Sequence, residues 1–196
     1  MRRTGTKNRG NLTVCVFCSS SDHVPEPYAE ATRSLGREMA ARGMRLVYGG
    51  GNNGLMGVLA EETHRCGGKI TGVIPLALRD LGYAYDKADE IIVTDGLRER
   101  KAVMEERADG FIGLPGGFGT IEEMLEIITL RQLGMHAKPI VFLNVEGFFE
   151  RLLEQFERGY CERFIPENCR TLYTVTGDVS RALDAVKKSY QPSAEI

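Results

Sequence analysis

The chain has 196 residues, 42% of them hydrophobic and 27% charged, with a formal net charge of −2. That length buries a sizeable core as one domain, and the near-neutral balance argues against a nucleic-acid coat or a membrane-surface protein. The opening MRRTGTKNRG is basic and polar, and no apolar run follows it, so neither a signal peptide nor a spanning helix is expected.

Residues 1–10 and 191–196 read as loose tails around a single nucleotide-binding domain at 11–190. Leu12 to Phe17 is a β-rich apolar run, followed by the loop CSSSD. A helix is expected from Pro27 to Arg42, stopped by Gly43, and a second strand over Met44 to Tyr48. The turn GGGNNGLMG then leads into a helix over Leu55 to Cys66, closed by Gly67 and Gly68. Ile70 to Ile74 reads as the third strand. Leu76 to Lys87 has poor periodicity and reads as a loop or a short helical piece. A strand over Glu90 to Val93, a charged helix over Leu97 to Ala108 and a buried strand over Phe111 to Leu114 follow. The remaining pattern predicts helix from Thr120 to about Leu133, strand over Pro139 to Leu143, helix over Gly147 to Arg158, a short strand over Thr171 to Val175, and a last helix over Val179 to Ser189. Strands and helices alternating at this spacing predict an α/β, Rossmann-like parallel sheet with helices on both faces. The three turns CSSSD, GGGNNG and PGGFG each follow a strand, so they converge on the edge of the sheet where such folds bind ligands.

The central stretch is FIGLPGGFGTIEEMLE, Phe111 to Glu126. Its glycines let backbone approach a ligand, and the helix start beyond them is a ready anion site. Thr120 with Glu123 three residues on reads as an N-cap and capping box. Glu122 and Glu123 in the first turn are out of place in a loop meant only for phosphate. The stretch therefore reads as a phosphate cradle with a catalytic carboxylate at its rim. GGGNNG supplies a second wall, where Gly50, Gly51 and Asn53 reach a ligand and Met56 packs under an apolar base; taken alone it is equally an ordinary strand-to-helix turn. Ser19, with Ser20 and Ser21, is a candidate phosphate or ribose donor, although loop chemistry also explains such a run.

LRERKAVMEER carries Arg98, Arg100, Lys101 and Arg107 among acids, a pattern usual on solvated helix faces. Arg100 and Lys101 are placed in the first turn of their helix, where cations oppose the helix dipole, and an anionic ligand would account for that. His23, His64 and His136 have no metal-ligand spacing. Five cysteines without a framework spacing suggest a reducing compartment, the cytoplasm. Cys15 and Cys18 form a C-x-x-C inside an apolar run, and Cys161 with Cys169 is too widely spaced to complete a zinc site, so packed thiols and no metal are expected. No G-x-S-x-G elbow and no Walker lysine after a glycine loop is present, which removes the hydrolase-triad and ATPase readings.

Taken together, GGGNNGLMG, GVIP, ERKAVM, LPGGFGTIEE, QLGMHAKPI and LNVEGFF resemble the LONELY GUY (LOG) family over roughly Val14 to Ile165. Its members are cytokinin riboside 5′-monophosphate phosphoribohydrolases, often mislabelled lysine decarboxylases. The resemblance implies a Rossmann-like fold, a homodimer or a higher assembly of dimers with its pocket near the subunit interface, and no cofactor. It carries the arginine and lysine of the motif to Arg100 and Lys101, and the loop to Gly116, Gly117, Gly119 and Thr120, with Phe118 and Ile121 between and after them. The motif glutamate falls on Glu123 beside Glu122, and a further ligand-contacting position on Thr129. Leu97, Leu130 and Gly82 stand where a methionine, an aromatic residue and, in plant members, a glutamate are usual. Those departures touch the base side of the pocket more than the phosphate side.

Hydrolysis of a base–ribose bond passes through an oxocarbenium-like sugar. Glu123 is expected to stabilise that cation or activate water, with Glu122 on a ribose hydroxyl, or the reverse. The glycine loop and Thr120 hold the 5′-phosphate, Arg100 contacts phosphate or the departing base, and Lys101 supports the anion site. The competing readings are a molybdenum-cofactor or nucleotide carrier or sensor of the same fold, and a pyridoxal-phosphate decarboxylase. The second needs a Schiff-base lysine that the chain does not offer convincingly. Met124, Ile128 and Leu133 on the long helix fit a dimer face or ordinary core packing equally well.

Overall fold

The structure, a computed structural model, describes residues 11–189; the expected tails at 1–10 and 191–196 lie outside them. In chain order the elements are β1 (Thr13–Phe17), α1 (Glu26–Ala41), β2 (Arg45–Tyr48), α2 (Gly54–Arg65), β3 (Lys69–Pro75), α3 (Leu76–Asp80), β4 (Glu90–Thr94), α4 (Leu97–Arg107) and β5 (Gly110–Gly113). They continue with α5 (Phe118–Gln132), β6 (Ile140–Leu143), α6 (Glu150–Cys161), β7 (Thr174–Thr176) and α7 (Val179–Ser189). One seven-stranded sheet runs β4-β3-β2-β1-β5-β6-β7, and every pair in it is parallel. No helix of the described residues is long and apolar enough to cross a membrane.

The order reverses between β1 and β5. The chain builds outward from β1 to β4, then α4 carries it back to the other side of β1. Where two neighbouring strands send their connections in opposite directions, a crevice opens beyond their C-terminal ends. Phe17 at the end of β1 pairs with Gly113 at the end of β5, so the CSSSD and PGGFG loops leave the sheet side by side. They are tied there: the Ser19 N–H donates to the Pro115 carbonyl at 3.3 Å, and the Leu114 N–H to the Phe17 carbonyl at 2.9 Å.

Two apolar layers sandwich the sheet. Val14, Val16, Leu46 and Tyr48 point towards Leu35, Met39, Leu55 and Leu59 of α1 and α2 and Leu183 of α7. Cys15, Phe17, Val47 and Phe142 point to the other face, against Met104 of α4, Met124 and Ile127 of α5, and Phe149 just before α6. Strand periodicity therefore sends Cys15 and Cys18 into opposite layers, and both are free buried thiols. The C-x-x-C is two packing residues.

Most predicted elements are present within a residue or two, and the differences have local causes. The helix expected from Gly147 begins at Glu150, because Glu146 has φ +49° in a preceding 3₁₀ turn and the Asn144 side chain accepts the Phe149 N–H at 2.7 Å. The strand expected at Thr171 starts at Thr174, since Glu167–Thr171 coil as a second 3₁₀ turn behind Pro166. Met124 is fully buried in the core and Ile128 packs against it, whereas Leu133 is 68% exposed. The exposed apolar positions of α5 are instead Phe118 and Leu125, with Leu133 and Met135 just beyond its end.

The larger correction concerns the start of α5. Its first residue is Phe118 and its N-cap is Gly117, with no side-chain cap. Thr120 is the third residue of the helix, so neither its N-cap role nor the TIEE capping box exists. The Thr120 side chain instead tucks under the loop: a Cβ on Gly116 would lie 2.1 Å from Thr120 Oγ1. Without a side-chain cap, the N–H groups of Phe118, Gly119 and Thr120 remain available to a ligand.

Candidate active site

The crevice at the switch point is a cavity of about 660 Å³. That is ample for a small-molecule ligand. The loop after β1 contributes Cys18, Ser19, Ser20 and Ser21 to its wall. The turn after β2 contributes Gly49, Gly51, Asn52, Asn53 and Met56. Ile74 at the end of β3, Leu78 in α3 and Tyr83 beyond it line a largely apolar side. Arg100 enters from α4, and Gly117, Phe118, Gly119, Thr120 and Glu123 come from the start of α5.

Arg100 and Glu123 form its chemical centre. Arg100 Nη1 donates to Glu123 Oε1 at 3.1 Å, and Arg100 Nε donates to the Val73 carbonyl at 3.1 Å. Their side chains are 13% and 9% exposed, so the pair works in a low-dielectric setting. Burial pushes the Glu123 carboxyl above its ordinary range; Arg100 opposes the shift, and the charge of Glu122 adds to it. The Cys18 thiol is pushed up by burial, then by Glu123, and stays protonated, which removes it as a nucleophile.

Beside the pair lies a second, outward-facing cluster. Lys101 Nζ bonds Glu122 and bonds Glu126 Oε2 at 2.8 Å. Burial works against the Lys101 ammonium, but its two carboxylate partners outweigh it and hold its pKa up. Both cations start past the first turn of α4, which holds Glu99; its carboxylate accepts the Asp95 N–H at 2.8 Å. The expected opposition between the cations and the helix dipole is correspondingly weaker.

Of the residues singled out by sequence, Ser19, Gly51, Asn53, Met56, Arg100, Gly117, Phe118, Gly119, Thr120 and Glu123 share the cavity. Lys101, Gly50, Gly116, Ile121, Glu122 and Thr129 do not line it. Gly50 has φ +73° and packs on Val73 and Ile74, and Thr129 is exposed with its hydroxyl donating to the Leu125 carbonyl at 2.8 Å. Sequence reasoning passed over Gly49, Asn52, Ile74, Leu78 and Tyr83. Ile74 belongs to the GVIP strand end, while Leu78 and Tyr83 lie in the aperiodic stretch after it, where only hydrophobic residues hinted at a wall. Gly82, one of the departures from the family pattern, has φ +80° in the same strap, while Leu97 is 58% exposed.

A switch-point cavity walled by an uncapped helix start and a buried arginine–glutamate pair has the make-up of an anion-binding pocket with a carboxylate in its wall. A family model described as a possible lysine decarboxylase matches residues 56–186, and the chain belongs to this, the LOG, family. A protein of Oryza sativa subsp. japonica named a probable cytokinin riboside 5′-monophosphate phosphoribohydrolase is 40% identical over 184 residues, covering 92% of this chain and 82% of its own. An Arabidopsis thaliana cytokinin riboside 5′-monophosphate phosphoribohydrolase is 40% identical over 179 residues, covering 91% and 78%. Among solved structures, a molybdenum cofactor binding protein from Rippkaea orientalis superposes with a TM-score of 0.70 at 19% identity, covering 92% of this chain and 98% of that one. The molybdenum cofactor carrier protein of Chlamydomonas reinhardtii gives 0.68 at 23% identity, with the same coverage. At those identities the likeness is one of fold.

Proposed function

We propose that the protein hydrolyses the N-glycosidic bond of adenosine 5′-monophosphates, including N6-substituted ones, releasing the free base and ribose 5-phosphate. The observation that carries this reading is the buried Arg100–Glu123 pair facing a cavity whose rim is the bare start of α5. The names of the sequence relatives support the same reaction. The 5′-phosphate sits at Gly117 to Thr120, where free N–H groups and the helix dipole favour an anion. The base lies against Met56, Ile74, Leu78 and Tyr83, and Ser19 and Asn53 serve the ribose.

As the C1′–N bond breaks, positive charge develops on the sugar and electrons pass to the base. The Glu123 carboxylate stabilises that cation and takes a proton from the water that bonds to C1′, and that proton then passes to the departing base, which restores the carboxylate. Arg100 meets negative charge on the departing base or on the substrate's oxygens. Glu122, tied to Lys101 outside the cavity, braces the α4–α5 contact in this reading, so the chemistry falls to Glu123. Burying the carboxylate concentrates its effect, and binding of the remote phosphate positions the reacting bond.

A Schiff-base decarboxylase has less support: Lys101 is committed to Glu122 and Glu126, and no lysine lines the cavity among the described residues. A carrier of the molybdenum-cofactor type shares the fold but has no use for a carboxylate paired with a buried arginine. We further infer one nucleotide-binding domain over 11–190, action in the cytoplasm without nucleic-acid or membrane partners, and a homodimer through the outer face of α5, where Leu125, Thr129 and Leu133 are exposed. Light scattering at micromolar concentration tests the dimer.

Base release from AMP and from N6-isopentenyladenosine monophosphate, by wild type and Glu123→Ala, tests the reaction. Release that the mutation abolishes, with no action on the unphosphorylated riboside, is the expected result. No release from either nucleotide, with tight binding retained, leaves a carrier or sensor.

A further inference from the structure

We propose that Gly49 is a positioning residue: its missing side chain is the berth in which the guanidinium of Arg100 lies, and that berth sets the arginine against Glu123. The inference rests on the hydrolase reading only for its kinetic arm. A Cβ built on Gly49 would fall 1.8 Å from Arg100 Nη2 and 2.9 Å from its Cζ. Real Cβ atoms do not approach that closely, and the obstacle is a planar group already fixed elsewhere. Nε is held by the Val73 carbonyl of β3 and Nη1 by Glu123 of α5, so the guanidinium cannot swing aside without giving up one or both.

The rest of the environment isolates this effect. Gly49 is absent from the glycines of positive φ, so alanine meets no backbone strain there. The next neighbour, Met56 Sδ at 3.1 Å, ends a flexible side chain that can shift. With Nε and Nη1 engaged, Nη2 has no acceptor among the described residues, and it lies over Gly49 in a cavity that both residues line. The berth thus leaves the outer edge of the guanidinium free for charge developing on substrate. The first glycine of GGGNNG, which looks like part of a phosphate loop, is bare to admit an arginine of the same protein.

The test is a double-mutant cycle of Gly49→Ala and Arg100→Ala in the full chain, reading base release, its pH profile and thermal melting. Gly49→Ala is expected to lower kcat about 100-fold, as misplacement of about an ångström does, with KM changed far less. Glu123 is faced by Arg100 and Lys101 from α4, by the Cys15 thiol from β1 and the Cys18 thiol just after it, and by Glu122 and Glu126 of its own helix. Displacing Arg100 removes the larger of the two cationic influences that hold its pKa down, so the acidic limb of the profile moves to higher pH. In the Arg100→Ala background the same glycine change is expected to cost less than about twofold, because its target has gone.

Wild-type kcat and an unmoved acidic limb in Gly49→Ala overturn the proposal, as does an equal loss in both backgrounds. Should Gly49→Ala fail to fold, the double variant is expected to melt higher than the single one. Failure of that recovery also overturns it. If wild type releases no base, the hydrolase reading falls while the melting cycle still decides the berth.

Discussion

Two glycine-rich turns flank the cavity, and they use the missing Cβ in opposite ways. In the turn after β2 the space is filled by the protein: Arg100 lies against Gly49, Met56 Cε would be 2.6 Å from a Cβ on Gly51, and the Ser21 carbonyl 2.5 Å from one on Gly54. In the turn after β5 only Gly116 is filled from within, by Thr120, whereas Gly117 and Gly119 have nothing within 4 Å, and both are exposed on the cavity rim. The first turn is an internal joint that locks β1, β3, α2 and α4 together. The second faces outward. Similar composition therefore conceals glycines bared mainly for the protein's own packing in one turn and mainly towards the cavity in the other, and only what stands opposite each glycine tells them apart.

The largest effect should come from the helix that the outward turn launches. Glu123→Gln keeps the shape and the arginine contact but removes the charge, and kcat is expected to fall by about 10² to 10⁴ with nucleotide binding retained. A wild-type kcat in this variant would remove the carboxylate from the chemistry. Burial raises the Glu123 pKa, so the acidic limb of the wild-type profile should lie above the 4.5 of an ordinary glutamate. The active carboxylate forms as pH rises through that value, and activity is lost below it. The same shift means that this group favours folding at pH below 4.5, a contribution lost as pH rises through the raised pKa. At neutral pH the carboxylate therefore works against stability.

Alanine substitutions then separate the turns. Gly54 has φ +56°, and its N–H donates to Asp22 Oδ1 at 2.7 Å while the Ser20–Ser21 backbone occupies the space a Cβ would need. Gly54→Ala should cost about 2–3 kcal/mol, visible as a lower melting temperature. Gly117 has φ −85° and open space around it, so Gly117→Ala should leave stability within about 0.5 kcal/mol. Its methyl group would meet the ligand instead, and KM for a 5′-monophosphate should rise about tenfold as one phosphate contact is lost. Equal losses of stability in the two variants would erase the distinction between the turns.

Sequence patterning revealed the fold because strands of VCVF, RLVY and IVFL type, separated by amphipathic helices, admit few arrangements other than a parallel sheet. The site was legible at PGGFGTIEE and at Arg100, where local spacing and family resemblance agree. It was less legible where the answer depends on tertiary neighbours. Thr120 resembles an N-cap because Ser, Thr, Asp and Asn usually mark helix starts, yet the Gly117–Phe118 backbone was free to begin the helix earlier. Lys101 sits next to Arg100 in sequence, but adjacent helix positions point about 100° apart, and that turn sends it to Glu122 and Glu126 outside the cavity. Gly49 is identical in kind to Gly50 and Gly51, and nothing in the sequence says which one faces an arginine 51 positions later. Tyr83 and Leu78 lie in a segment without periodicity, held in place by hydrogen bonds rather than by an apolar stripe.

Those hydrogen bonds carry the smallest effect and the finest test of the inward turn. Asn52 Nδ2 donates to the Gly82 carbonyl at 3.0 Å and to the Ala84 carbonyl at 3.2 Å, beside main-chain bonds from Asn52 N to the Tyr83 carbonyl and from Tyr85 N to the Gly50 carbonyl, both 2.9 Å. Its Nδ2 is thus spent on the strap, which holds Tyr83 at the cavity wall beside Asn52 itself. Asn52→Ala leaves both main-chain bonds, so the loss in a urea titration should be about 1 kcal/mol. A looser Tyr83 should blunt discrimination between N6-isopentenyladenosine monophosphate and AMP by a few-fold in kcat/KM, while kcat on AMP stays close to wild type. If both substrates lose equally, the strap is a brace for the second turn and takes no part in reading the base. A change confined to the substituted nucleotide would extend the inward turn's work from holding an arginine to shaping the pocket.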